Sequence, residues 1–351
     1  MHSRATTIGL LPYLSILWLH TTATSILPTS PERSKSAGCT LDYGAIAPSI
    51  TGNLTGLGED LGVIGHGGSS IVRLLRRSVD DSLSAVKEFP PITANSSRRE
   101  ALEECIKLEH HIGKLASGHA GIAETQELIN DPSTGTWWIA TAYHNRSLAA
   151  DIWDLASSDV ERIFPELVEA IGHMHKKGIA YGDVKVENVL FDSAGHVKLV
   201  DFGSATHAGC LEAKHSDPTV NALPGDTHTP PYAPPESFVD RTYDRQGADA
   251  WALGVLLYVM SARELPWIRA NNGSTAWCRF VGIPESLHST CASHSQQHVF
   301  HDPLCRATCS SLAVPGAGKV PKTLQRMLWG YLEPDPSLRL MPGLPPVLTA
   351  S

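Results

Sequence analysis

The sequence predicts an α+β fold in two lobes, a smaller strand-rich lobe followed by a larger helical one. Three observations carry that expectation. Residues 60–90 and 122–142 are short alternating apolar and polar runs broken by turn signals, the pattern of paired strands. Residues 159–177 and 247–262 repeat apolar side chains at helical spacing. A single short strand pair, 189–191 and 197–200 around a Ser-Ala-Gly-His turn, interrupts the helical half.

Taken in order, the chain begins Met1-His-Ser-Arg4, a short basic start, and continues with an uncharged apolar run over 8–19 and small residues at 23–25. Residues 1–28 are therefore patterned like a secretory leader, the run being short of the ~20 residues a membrane span needs. Residues 29–57, rich in Ser, Pro and Gly, read as a linker. Residues 58–345 read as one domain, with the first lobe over 58–143 and the second over 144–345. Leu102, Ile106, Glu109, Ile112 and Leu115 recur every three or four residues in 96–117 and predict a helix, with Ser96 or Ser97 as N-cap and Gly118 as stop. Residues 268–318, rich in Ser, His and Cys and without periodicity, read as a long surface insertion.

Composition bounds the function. A chain of 351 residues with 42% apolar and 18% charged residues is globular, not disordered. A formal net charge of −8 offers no basic footprint, so no nucleic-acid partner is expected. Seven irregularly spaced cysteines do not form a disulfide framework. Cys278, Cys291, Cys305 and Cys309 lie among His288, His294, His298 and His301, but without C-x-x-C spacing they read as loop residues before zinc ligands. The sequence carries no dimerisation element, and it leaves the oligomeric state open.

The chemistry concentrates in Ile179-Ala-Tyr-Gly-Asp-Val-Lys-Val-Glu-Asn-Val-Leu-Phe191. Asp183 on a loop before a strand can accept a hydroxyl proton, and Lys185 can neutralise a transferring phosphoryl group. The amide of Asn188 can bind Mg²⁺. In Val197-Lys-Leu-Val-Asp-Phe-Gly203 a second carboxylate, Asp201, follows an apolar strand, where a hard cation beside phosphate oxygens needs one. Upstream, Ile64-Gly-His-Gly-Gly-Ser-Ser-Ile-Val72 combines Gly65 and Gly67, which let backbone approach phosphates, with Val72, which can cover a flat base. Ser84-Ala-Val-Lys87 then places a lysine in an apolar strand, and Glu109 on the predicted helix can pair with it. Alone, the glycine-rich run is an ordinary hairpin turn and Lys87 an ordinary strand-end lysine. Asp183 and Asp201 in order, with their neighbours, decide the reading.

These stretches resemble the eukaryotic-type protein kinase family, from about Leu61 to Leu340. Tyr181-Gly-Asp183 through Asn188 is similar to the H-R-D-L-K-x-x-N loop, and Asp201-Phe-Gly203 to D-F-G. Thr229-Pro-Pro-Tyr-Ala-Pro-Pro-Glu236 is similar to T-x-x-Y-x-A-P-E, Asp249-Ala-Trp-Ala-Leu-Gly254 to D-x-W-S-x-G, and Pro334-Asp-Pro-Ser-Leu-Arg339 to P-D-x-x-x-R. The resemblance implies a protein-kinase-like fold and transfer of the ATP γ-phosphate to Ser or Thr of protein substrates, with Mg²⁺. It implies catalytic roles for Asp183, Lys185, Lys87, Glu109 and Thr229. It implies nucleotide contacts from Ile64, Gly65, Gly67, Val72, Ala85, Lys87, Ala142 and His144, with Thr141 as gatekeeper, and metal ligation by Asn188 and Asp201. It further implies a Glu236–Arg339 ion pair and a catalytic loop anchored by Asp249.

The departures are specific. Gly182 replaces the arginine of H-R-D, removing the cation that clamps a phosphorylated activation loop. Ser70 replaces the third glycine, Pro234 the alanine of A-P-E, and Gly113 stands where a spine leucine or methionine is usual. Activity independent of activation-loop phosphorylation is expected; the alternative is a pseudokinase scaffold that binds nucleotide or partner proteins without efficient catalysis. The chemistry places the chain in the cytoplasm, or in the secretory pathway if 1–25 are a signal peptide. No membrane partner is expected unless 8–19 act as an anchor.

Overall fold

The alternating first half of the chain becomes a sheet that buries side chains on both faces, one of them against a helix. The structure, a computed structural model, describes residues 46–343 apart from 68–69, 90, 92–95, 208–228, 240–242, 272–273 and 282–315. The leader at 1–28, the linker up to 45 and most of the Cys/His-rich stretch lie outside the described residues. Among the described residues no helix is long and apolar enough to cross a membrane.

Strands β1 (Ile50–Thr51), β2 (Gly58–His66), β3 (Ile71–Arg77), β4 (Leu83–Phe89), β5 (Thr125–Asp131) and β6 (Thr136–Ala142) form one sheet in the order β1-β5-β6-β4-β3-β2. All its pairs are antiparallel except β1 with β5. Helix α1 (Ser96–Ala116) crosses one face. The two-residue period divides the strands cleanly. Leu75, Val86, Ile129, Trp138 and Ala140 bury on the outer face, and Leu128, Trp137 and Ile139 bury with Ile106 of α1 on the inner one. Lys87 is paired across the sheet with Val72 on one side and Ile139 on the other, so it shares the inner face and aims at α1.

The helical lobe begins with β7 (Arg146–Ser147) and the short α2 (Leu148–Asp151) and is organised by α3 (Ser157–Lys176) and α4 (Arg245–Ala262). Val160, Ile163, Phe164, Leu167, Ile171 and Met174 make the apolar stripe of α3, and Asp159 accepts the N–H of Ala156 at 2.8 Å to close its first turn. Helix α4 is buried on nearly every side, as an apolar helix in the middle of a lobe must be. Asp244 caps it by accepting from the Gln246 N–H at 3.0 Å. Between α3 and α4 lie β8 (Ile179–Ala180), the antiparallel pair β9 (Val189–Phe191) and β10 (Val197–Leu199), and β11 (Thr206–His207) paired with β8.

Four expectations need correction. Residues 46–57 are folded and not linker: Ile50–Thr51 pairs with Ile129 and Asn130, and Leu54 is buried in a 3₁₀ turn. Leu102 and Leu115 are exposed; α1 buries Ile106 and Ile112 instead. The helix already includes Ser96 and Ser97, so neither stands before its first turn as a cap. The first part of the expected surface insertion is core. A short helix, α5 (Thr275–Phe280), packs Trp277 and Phe280 against Trp251 and Trp267 with ring centroids 5.1–6.5 Å apart, and Cys278 is buried beside them.

The implied Glu236–Arg339 pair is present and fully enclosed. The guanidinium donates to both carboxylate oxygens at 2.6 and 3.0 Å, to the carbonyls of Gly247 and Glu333 at 3.0 Å, and lies over the Trp251 ring. Arg339→Ala strands a buried carboxylate and is expected to cost roughly 3–5 kcal/mol in urea unfolding. Arg339→Lys, which cannot make the two-pronged contact, is expected to recover less than half of that.

Candidate active site

The site is built where the inner face of the sheet meets the loop between β8 and β9. Asp249, in the first half of α4, is 1% exposed. Its Oδ2 accepts the Tyr181 N–H and its Oδ1 the Gly182 N–H, each at 2.7 Å. A carboxylate with two backbone donors is a strong, directional clamp, and it fixes the two residues that precede Asp183.

Beyond the clamp, Asp183 is surrounded. Lys185 Nζ lies 2.7 Å from its Oδ2, Thr229 Oγ1 donates to its Oδ1 at 3.1 Å, and Asn188 Nδ2 donates to its Oδ2 at 2.8 Å and its carbonyl at 2.9 Å. Lys185 also reaches Thr229 Oγ1 at 3.4 Å. A carboxylate with three partners has its rotamer fixed before any substrate arrives. The residues chosen from the sequence around Asp183 thus converge on one side chain.

Across the cleft, Lys87 Nζ bridges Glu109 Oε1 at 2.7 Å and Asp201 Oδ1 at 2.9 Å. Burial alone would lower the Lys87 pKa, but the two carboxylates outweigh it and push it up to about 12 from the ordinary 10.5. The sign is that of a group gaining partners: this stabilisation is complete below pH 10.5 and fades as pH rises through about 12, so Lys87 is a cation throughout the neutral range. Burial raises the Glu109 carboxyl, with the Lys87 charge pulling against it. Asp201 keeps nearly half of its side chain exposed; loss of hydration works to raise its carboxyl, but Lys87 draws its pKa below the usual carboxylate range. Asp201 has φ +61°, an uncommon left-handed conformation for a residue with a side chain. That turn brings its carboxylate back over Gly203, whose N–H it accepts at 3.2 Å.

The strand registers gather the expected nucleotide wall. Val72 faces Lys87, and Ala85 faces Thr141, so these side chains line one surface of the sheet. Thr141 Oγ1 donates to the Ala85 carbonyl at 3.3 Å. Ala142 ends β6: its N–H bonds the Glu124 carbonyl, and the Tyr143 N–H bonds the Leu83 carbonyl of β4. Ala142 and His144 therefore stand at the expected hinge. Ile64 and Gly65 lie at an irregularity in the β2–β3 ladder, and the Gly67 N–H closes the turn on the Ser70 carbonyl at 2.7 Å.

Two departures acquire physical reasons. Tyr181 is buried, its ring edge-on to Phe202 at 5.9 Å, and its hydroxyl donates to the Val200 carbonyl. Burial pushes the phenol pKa well up, so the proton needed for that bond stays in place. The missing spine side chain at Gly113 leaves no gap there to fill: a Cβ would lie 2.3 Å from Thr125 Oγ1 and 3.2 Å from the Phe202 ring. The helix packs straight onto Phe202.

One supporting residue gave no signal in the sequence. His175, in the last turn of α3, places Nε2 2.9 Å from Asp249 Oδ2, while Gln246 Nε2 bonds the His175 carbonyl. Nothing in the local pattern separates His175 from its neighbour His173; only the fold brings it to Asp249.

Asp201 and Asn188 supply a carboxylate and an amide oxygen, both hard donors. Mg²⁺ is held by few protein oxygens and completes its shell with water and phosphate, so this pair fits it. Among the described residues no group of three or more His, Cys, Asp or Glu side chains forms a metal cage.

Gly182 has φ +82°, and a Cβ there would sit 2.5 Å from the Ser204 carbonyl oxygen. An arginine cannot be restored without moving the catalytic loop. Gly182→Ala is expected to cost about 1–3 kcal/mol and Gly182→Arg at least as much, read as a lowered thermal midpoint for both; equal or greater stability of Gly182→Arg would contradict this geometry.

Comparison with known proteins agrees with the geometry. Residues 59–343 match the family described as protein kinase domain. Relatives include the serine/threonine-protein kinase oca2 of Schizosaccharomyces pombe, 28% identical over 205 residues, or 58% of this chain and 31% of that protein. The CBL-interacting protein kinase 4 of Oryza sativa subsp. japonica is 40% identical over 117 residues, or 33% and 24%. The serine/threonine-protein kinase chk1 of S. pombe is 31% identical over 170 residues, or 46% and 32%. The alignments span about a quarter to a third of these relatives' lengths. With its catalytic loop, its lysine–carboxylate bridge and its late arginine all in the family's order, the chain belongs to the protein kinase family.

Proposed function

We propose that this chain transfers the γ-phosphate of ATP to Ser and Thr hydroxyls of proteins. The observation that carries the proposal is the arrangement of Asp183, fixed by Thr229, Lys185 and Asn188, opposite a Lys87 already paired with Glu109 and Asp201. The named serine/threonine kinases among the relatives support the same class.

In the proposed reaction the substrate hydroxyl lies against Asp183, which orients it and takes its proton. The hydroxyl oxygen bonds to the γ-phosphorus as the bond from that phosphorus to the bridging oxygen breaks, and ADP leaves with the electron pair. Lys185 offsets charge on the transferring group, and Lys87 holds the α- and β-phosphates. Asp201 and Asn188 would hold Mg²⁺, which neutralises phosphate charge. The lysine two residues after Asp183, and Thr229 bonded to that aspartate, favour Ser/Thr over Tyr acceptors. A cytoplasmic setting supplies the ATP.

Gly182 supplies no guanidinium for a phosphorylated loop to satisfy, and Asp183 is already held by Lys185, Thr229 and Asn188. Changing Thr219 and Thr227 to Ala, both outside the described residues, is expected to leave kcat within about twofold, whereas a tenfold fall would show that the loop must be phosphorylated. Asp183→Asn is expected to lower the single-turnover rate at least ~10²-fold with ATP binding retained; a near-normal rate would remove Asp183 as the base.

A further inference from the structure

Residues 46–57 lie outside the protein kinase match, which begins at residue 59, yet they are part of the sheet. They form a strap around its edge. The Ser49 N–H donates to the Leu128 carbonyl at 2.8 Å, Ser49 Oγ accepts from the Leu128 N–H at 3.3 Å, and the Gly52 N–H donates to the Asn130 carbonyl at 2.9 Å. Leu54 then anchors the strap on the outer face, against the cluster of Leu75, Val86 and Ile129.

The other end of the strap turns to the inner face. Ile46 packs against the cluster of Ile106, Leu128, Trp137 and Ile139. Ile106 belongs to α1 and stands three residues before Glu109, so the two are neighbours on the same side of that helix. On its second half α1 is tied to β5 by His110 Nε2 to the Gln126 carbonyl at 3.2 Å and by Lys114 Nζ to the Thr125 carbonyl at 3.1 Å. Ile46 is thus the strap's apolar contact with the cluster that seats the middle of α1.

We propose that Ile46 is a positioning residue: by packing on the Ile106 cluster, the strap holds α1 against the sheet and keeps Glu109 within reach of Lys87. The segment is then an internal activating element that travels with the chain, outside the family's shared domain. A helix free to swing outward would lose the Lys87–Glu109 pair and, with it, phosphate positioning. This role rests on the phosphotransfer reading for its effect on rate, but not for its effect on the helix.

The test uses the full chain with Ile46→Ala, Ile46→Val and Ser49→Pro, the last removing the N–H that bonds Leu128. Hydrogen exchange of residues 102–112, read without substrate, is expected to quicken in Ile46→Ala and Ser49→Pro and to return to the parent rate in Ile46→Val. In phosphotransfer, Ile46→Ala is expected to lower kcat/KM for ATP on the order of tenfold, and less than about twofold in a Glu109→Gln background, because the pair it serves is already gone. Unchanged exchange in α1 overturns the proposal, and so does an equal loss in both backgrounds, which would make the strap a general stabiliser. If the parent chain transfers no phosphate, the phosphotransfer reading fails while the exchange result still decides the role of Ile46.

Discussion

The arrangement depends on one buried carboxylate. Asp249 sits in an apolar helix where an unpaired charge would be severely destabilising. It is tolerated because the backbone N–H groups of Tyr181 and Gly182 and the ring of His175 surround it. The dependence runs both ways. The loop needs Asp249 to fix its path, and Asp249 needs the loop to satisfy its oxygens. Asp183, Lys185 and Asn188 follow within a few residues, so the clamp places them all. The backbone turns left-handed at Gly182, and a Cβ there would meet the Ser204 carbonyl.

A second constraint joins the lobes. Lys87 comes from the sheet, Glu109 from the helix across it and Asp201 from the loop after β10. Each is partly removed from water, and the opposite charges offset part of that cost. The meeting of Lys87 and Glu109 therefore rests on how firmly α1 lies on the sheet. In this chain the strap at 46–57 enters that question, because it shares the cluster that seats the helix.

The sequence made most of this legible, for reasons that differ by residue. Asp183, Lys185, Asn188 and Asp201 are close together in the chain, so their spacing alone nearly fixes their placement. The Lys87–Glu109 pair was legible through the family pattern together with the helical period around Ile106. The strap was not, because a two-residue strand and one 3₁₀ turn carry no periodicity, and their Ser- and Gly-rich context reads as linker. The same applies to Trp277, Cys278 and Phe280, whose helix of six residues is too short to show an apolar stripe. His175 was invisible because its partner is 74 residues away. The concern over Gly113 came from expecting a side chain where Thr125 and Phe202 already fill the space.

The most direct measurement is transfer of labelled γ-phosphate from ATP, with Mg²⁺, to a panel of Ser, Thr and Tyr peptides by the full chain beside Lys87→Met. The account predicts label on Ser or Thr that disappears in the variant. Absence of transfer by a chain that still binds nucleotide, or label confined to Tyr, would contradict it.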